Sequence, residues 1–469
     1  MDKQKECYRI RIKIVPMLFF LIISTSLFAQ DITGQWNGVL KVPGTQLRVV
    51  FHVNKIPTGF SSTMDSPDQG VKGIAIKETS FENNTLKLIA PNMGLEYIGQ
   101  LGQDQIIKGE FKQGGQSFLL TLSRGIVKKE ILVRPQTPVK PYSYYSEEVA
   151  FENKTAGIRL AGTLTLPKKE GVFPAVVLIS GSGPQNRDEE LFGHQPFLVL
   201  ADYLTKNGIA VLRYDDRGVA KSGGDFKTAT TQDFATDVES ALTFLKTRKE
   251  INPMKMGLIG HSEGGLIAPI IASTHKDLGF IILMAGPGIP ISSLMLLQKE
   301  KIERQMGVSE AELAKSQEIF KGAYQLILNA TANDAALKIK LNSYFAEKFG
   351  LATANKEIDT ITDQITTVWM FNFLRMNPSN FLKYVNCPIL AINGERDLQV
   401  PAKENLQAIK LILEKSGNKK LTIKEFPRLN HLFQESETGA VGEYGKIEQT
   451  ISPEVLSEIL NWISLQIMQ

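Results

Sequence analysis

The chain has 469 residues, 43% hydrophobic and 22% charged, enough for two domains or one elaborated domain and too apolar for a disordered chain. Its formal net charge is +4, and much of that sits on Lys3, Lys5, Arg9, Arg11 and Lys13. The remainder is near neutral, which excludes a basic nucleic-acid-binding surface.

Those basic residues precede the apolar stretch 14–27, which contains Pro16 and ends in Ser26-Leu27-Phe28-Ala29-Gln30. A basic segment, a short apolar run and small residues predict an export signal over 1–29 with cleavage after Ala29. The run is shorter than the ~20 residues a membrane-spanning helix needs, so no stable membrane insertion is expected after cleavage. The mature protein is expected to be periplasmic or extracellular. Cys387 alone would then remain, so no internal disulfide is expected, and its place before Pro388 and an apolar strand predicts a buried, inert thiol.

Residues 30–125 alternate apolar and polar side chains between turn signals. Strands are predicted at 46–53, 73–79, 85–90, 96–101, 106–111 and 117–122. Pro43-Gly44, Asn83-Asn84 and Gly114-Gly115 mark turns. This pattern predicts a small all-β barrel or sandwich. Gly34-Gln35-Trp36 resembles the opening of lipocalin-like barrels over those three residues. A proline-rich linker is expected at 126–146, through Arg134-Pro135-Gln136-Thr137-Pro138-Val139-Lys140-Pro141.

From 147 to 469 the rhythm changes. The runs 147–152 and 158–166 predict an antiparallel pair. Short, almost wholly apolar runs follow at 174–180, 209–214, 256–259, 279–284, 388–393 and 421–426, as suits strands buried on both faces of a mostly parallel sheet. Helices are predicted at 197–206 and 231–246, the second from the apolar stripe Phe234, Val238, Ala241, Leu242 and Leu245. The interval of about 288–385 interrupts the strands with helical stretches 294–305, 309–329, 333–348 and 356–374, a cap over the strand ends. Within it Trp369, Met370, Phe371, Phe373, Leu374 and Met376 are expected mainly as cap core, with some free to line an acyl pocket.

The chemistry centres on Gly260-His261-Ser262-Glu263-Gly264-Gly265, a Gly-x-Ser-x-Gly turn between a strand and a helix. Such a turn lifts the Ser262 hydroxyl above the strand ends and aims the amide of Glu263 at a developing oxyanion. A serine needs a base, and the base an orienting carboxylate. Of the five histidines (His52, His194, His261, His275 and His431), only His275 and His431 follow Ser262. His275 ends the following helix, whereas His431 stands in Arg428-Leu429-Asn430-His431, just past the last predicted strand. Asp397 lies on the loop after the strand 389–392, with Glu395 as competitor. Ser180-Gly181-Ser182-Gly183-Pro184 follows another strand, and the amides of Ser182 and Gly183 are candidates for the second oxyanion donor. Asp215-Asp216-Arg217-Gly218 reads as a structural ion pair, and Arg187, Asp188, Glu189 and His194 could border the substrate.

Together these elements resemble the α/β-hydrolase superfamily over residues 147–469. The likeness is to its serine aminopeptidase-like and dienelactone hydrolase-like esterase branch, whose secreted bacterial members often carry Gly-His-Ser-Glu-Gly-Gly. Ser180 departs from the His that many relatives place before Gly-Ser-Gly-Pro. The resemblance implies an eight-stranded sheet with a helical cap and a serine carboxylesterase acting on small-molecule esters through an acyl-enzyme. The expected parts are Ser262, His431 and Asp397 as triad, Glu263 with Ser182 or Gly183 as oxyanion donors, and no metal or organic cofactor. An aminopeptidase or prolyl-type peptidase would use the same triad. It would also need a carboxylate such as Glu263 or Glu357 for a free amine. A ligand-binding protein on a dead scaffold is the remaining reading. Oligomeric state is not encoded in any motif.

Overall fold

In the computed structural model, residues 31–42, 45–67, 71–91, 94–113, 116–125, 134–353 and 355–468 are described. The expected export signal at 1–29, residues 126–133 of the expected linker and the turns 43–44 and 114–115 lie outside them. The chain divides at Glu130 into two units, each with its own core.

The first unit holds nine strands: β1 (Gly34–Val42), β2 (Thr45–Ile56), β3 (Gly59–Ser66), β4 (Val71–Ile76), β5 (Glu78–Glu82), β6 (Thr85–Ala90), β7 (Leu95–Leu101), β8 (Ile107–Gln113) and β9 (Gln116–Ser123). They form one sheet in the order β4-β3-β2-β1-β9-β8-β7-β6-β5. Period-two alternation turns Leu86, Leu88, Leu95, Tyr97 and Leu101 inward to meet Trp36, Phe51 and Phe111. Ser62 on β3 bonds Thr79 on β5 at 2.6 Å, so the sheet curls until its ends meet, a barrel rather than a sandwich.

In the second unit β10 (Tyr145–Asn153), β11 (Ile158–Leu166) and β12 (Phe173–Ile179) come first. Helix α1 (Pro196–Lys206), β13 (Ala210–Tyr214), α2 (Thr231–Lys246), β14 (Ile251–His261), α3 (Gly264–Thr274) and β15 (Phe280–Met284) follow. The cap runs through α4 (Ile291–Gln305), α5 (Glu310–Asn329), α6 (Ala335–Phe349), α7 (Lys356–Ile365), α8 (Val368–Phe373) and α9 (Ser379–Leu382). The chain then returns through β16 (Ile389–Gly394), α10 (Ala402–Ser416), β17 (Leu421–Phe426), α11 (Val441–Tyr444) and α12 (Pro453–Ile467).

Eight strands lie in the order β10-β11-β13-β12-β14-β15-β16-β17, antiparallel from β10 to β13 and parallel thereafter. Every residue of β13, β15 and β16 is buried, as the unbroken apolar runs require of strands covered on both faces. Helices α2, α3 and α10 cover one face and α1 and α12 the other. This is the α/β-hydrolase architecture expected from the strand rhythm. The parallel strands end together at one edge, where the loops after β12, β14, β16 and β17 can converge.

The cap has a core of its own around Tyr324, Leu341, Phe345, Ile358 and Phe371. One helix was expected over 356–374. Two form instead, because Thr367 caps α8 by accepting from the Met370 amide at 3.1 Å and so ends the preceding run. Residues 134–136 are held against the second unit. Arg134 donates to the carbonyls of Phe192, Gly445 and Ile447, and Gln136 bonds the amides of Thr450 and Ile451.

Candidate active site

Strand β14 ends at His261 and helix α3 begins at Gly264, leaving two residues to reverse the chain. Ser262 does so in the left-handed region, with φ 53°, a strained conformation for a residue with a side chain. The turn is fixed by the Ser262 amide donating to the Met284 carbonyl and the Gly265 amide to the Ser262 carbonyl, both at 2.9 Å. The glycines follow from the crowding. A Cβ at Gly260 would strike the Gly264 carbonyl, and one at Gly264 the Ile179 carbonyl of β12.

After β17 the loop folds back and buries His431. Its Nδ1 lies 2.7 Å from Asp397 Oδ2. The other oxygen of Asp397 accepts from the amides of Gln399 and Val400 at 2.8 and 2.9 Å, so the carboxylate is fixed before it meets the imidazole. Glu395 instead accepts from the Arg428 amide and braces the turn. Ser262 and His431 line one cavity of about 220 Å³. Among the described residues no hydrogen bond joins them. Such contacts are often loose without substrate and tighten once it binds.

Ser182 and Glu263 line the same cavity, and among the described residues no protein acceptor takes either amide. The Gly181 amide is occupied by Glu189 Oε1 at 2.7 Å. Gly183 turns the loop with φ 98° and is not among the residues lining the cavity. From below, Asp216 accepts from the Ser180 hydroxyl at 2.7 Å and the Gln185 amide at 3.0 Å. Burial pushes the Asp216 carboxyl up to about 8.

Much of the remaining lining is apolar or amide, including Leu294, Met295 and Gln298 from α4, Trp369 and Phe373 from α8, and Val400 and Leu432, with the His261 imidazole beside Ser262. Two carboxylates belong to it, and both are committed. Glu263 accepts from the Thr231 hydroxyl at 2.7 Å and from the Trp369 indole at 2.9 Å. Burial holds its carboxyl above the ordinary range despite those donors. Glu189 takes the Gly181 amide and faces His261 Nδ1 at 2.9 Å.

Of the four residues expected near the substrate, only Glu189 reaches the cavity. Arg187 pairs with Asp215 and Glu148, and Asp188 with Arg213. His194 is buried against Tyr444 and Thr450. Asp215 and Arg217 are both ion-paired but not to each other, since Arg217 grips Asp237 at 2.7 Å. His275 sits near Glu239, remote from the cavity lining, and His52 pairs with Asp65 in the first unit. Glu357 is exposed in the first turn of α7. Cys387 is half-buried, its thiol pushed up to about 11 by burial. The ties of Thr231, Asp216 and Trp369 to this site had no sequence signal, because each depends on which helix packs where.

A family model described as serine aminopeptidase, S33 matches residues 195–437. The esterase EstD of Thermotoga maritima is 27% identical over 374 residues, covering 77% of this chain and 82% of that protein. Among solved structures, the Pyrococcus furiosus esterase Pf2001 aligns at 17% identity and a TM-score of 0.42, covering 72% of this chain and 99% of that one. Est1E of Butyrivibrio proteoclasticus, solved with ferulic acid bound, aligns at 15% identity and a TM-score of 0.41, covering 68% of this chain and 100% of that one.

Proposed function

The chain belongs to the serine aminopeptidase S33 family of the α/β-hydrolase superfamily, and on that premise we propose that it is a serine carboxylesterase cleaving short acyl esters. Ser262 Oγ attacks the ester carbonyl as His431 takes its proton. Asp397 orients the imidazole and stabilises the imidazolium. The amides of Glu263 and Ser182 receive the oxyanion. Collapse expels the alcohol, which leaves with the proton from His431. Water then attacks the acyl-enzyme by the same route and frees the acid.

One observation carries this reading. An imidazole fixed by a carboxylate at 2.7 Å borders a cavity that also presents an elbow serine and two amides without an acceptor among the described residues. A volume of about 220 Å³ walled by Leu294, Met295, Trp369 and Phe373 suits a small uncharged acyl group. The cavity also favours an ester over an aminoacyl substrate. A free ammonium needs an available carboxylate, and Glu189 and Glu263 are both spent on internal donors.

Turnover of p-nitrophenyl acetate should fall by about 10⁴-fold or more in Ser262→Ala, with loss of fluorophosphonate labelling. Aminoacyl-naphthylamides should be poor substrates for the wild type. Retained ester turnover in Ser262→Ala would end the assignment, and faster naphthylamide cleavage would transfer it to a peptidase.

A further inference from the structure

The elbow residue His261 lines the cavity beside Ser262, but both its ring nitrogens are taken by protein groups. It is buried, 6% exposed, and its two ring nitrogens point in opposite directions. Nε2 lies 2.9 Å from the backbone carbonyl oxygen of His431, and Nδ1 lies 2.9 Å from Glu189 Oε1. A carbonyl can only accept, and an ionised carboxylate can only accept. With Glu189 ionised, both nitrogens are therefore satisfied together only when both carry protons. Glu189, 5% exposed, also takes the Gly181 amide on the same oxygen. It is delivered there by a backbone with φ 51°, a conformation that a non-glycine residue holds only when its surroundings impose it.

One ion pair thus touches both halves of the site. On one side it grips the carbonyl of His431, the base. On the other it grips Gly181, the residue before the Ser182 amide. We propose that Glu189 and His261 are positioning residues, a buried carboxylate–imidazolium pair that holds the loop of the base and the oxyanion loop in register across the cavity. The inference rests on the esterase reading for its kinetic consequences, but not for the state of the pair.

The charged groups around the pair are few. His431 lies beside His261 with ring centroids 4.8 Å apart and the rings tilted by 44°. Asp397 lies behind it, and on the neighbouring loop the Glu189 charge adds to the burial that holds the Asp216 carboxyl up. Burial alone would lower the His261 value. Glu189, through its charge and its hydrogen bond, outweighs that effect with help from the His431 carbonyl and Asp397, and the value ends above 6.5. The sign follows. The folded value exceeds the unfolded one, so the pair's contribution is complete below about 6.5 and is lost as pH rises through the folded value. Above it, a bare Nδ1 faces a carboxylate and the register loosens.

The test has two arms. In wild-type protein labelled with ¹⁵N-histidine, long-range proton–nitrogen spectra at pH 7 should show one buried ring with both nitrogens protonated, absent in His261→Gln. In Glu189→Gln, kcat for p-nitrophenyl acetate should fall by about 10- to 100-fold with KM changed less than about threefold. The alkaline limb of its kcat/KM profile should move to lower pH. A neutral His261 ring at pH 7 in the wild type overturns the proposal. So does a Glu189→Gln enzyme that keeps its kcat while KM rises, or one that loses kcat with the alkaline limb unmoved. Failure of fluorophosphonate to label wild-type Ser262 would instead sink the esterase reading, while the spectra would still report the pair.

Discussion

His194 and His261 are both buried in the second unit, yet their surroundings drive them in opposite directions. His261 is pressed between two acceptors, which favour the cation. His194 meets neutral partners, the Thr450 hydroxyl at 3.0 Å, the Tyr444 carbonyl at 2.9 Å and the Gln434 amide at 3.0 Å, and the Arg134 cation nearby opposes its protonation. Burial therefore dominates and lowers it to about 4. A histidine depressed in this way destabilises the fold in acid. As pH falls from about 6.5 towards 4, the unfolded chain binds a proton that the folded chain refuses. The loss over that window should be on the order of 3 kcal/mol. Urea unfolding at pH 7 and pH 4.5 should show a smaller acid loss in His194→Gln than in the wild type. Equal losses would show that His194 is already protonated in the fold.

At the scale of elements, the carboxylate of Glu263 does a second job. Its amide belongs to the elbow, but its side chain receives the indole of Trp369 from α8 and the hydroxyl of Thr231 from the first turn of α2. Trp369 stacks on Phe373 with centroids 4.7 Å apart, and the two rings form one wall of the cavity. Trp369→Phe keeps a ring on that wall and removes the tie. A net hydrogen bond contributes about 1 kcal/mol, so KM for p-nitrophenyl acetate should rise about fivefold with kcat held within twofold. A fall in kcat with KM unmoved would mean that the indole acts on the elbow itself.

The same elements show what a sequence can carry. Continuous apolar runs marked β12, β13, β15 and β16 within a residue, because burial on both faces leaves few polar positions to blur the pattern. The turn glycines of the elbow could be read because backbone crowding excludes every other residue. Strands β1 and β3 were not anticipated, since Gly34–Val42 and Gly59–Ser66 alternate weakly and rest on barrel closure. The expected strand 73–79 is two strands, β4 and β5, at opposite ends of the sheet order. Order along the chain pointed to His431 and Asp397. Nothing local pointed to Trp369 over Glu263, or to Glu189 beneath His261, because both are meetings of distant segments.

The whole chain is two cores joined by a stretch whose latter part belongs to the second unit. Trp36, Phe51, Tyr97 and Phe111 complete the first core. The second closes around its own sheet and helices. The boundary that matters for activity is therefore not the start of β10. Arg134 and Gln136 fasten the segment 445–451, which lies against His194 and follows the loop of His431. A fragment of residues 134–469 should fold and turn over p-nitrophenyl acetate within about twofold of the full chain. A fragment of residues 145–469 keeps every strand of the sheet but lacks those anchors. Several hydrogen bonds at about 1 kcal/mol each should be missing, so its urea midpoint should drop and its kcat should fall with it. Equal stability of the two fragments would show that the anchors are idle. Loss of activity already in the longer fragment would show that the barrel unit takes part in the reaction.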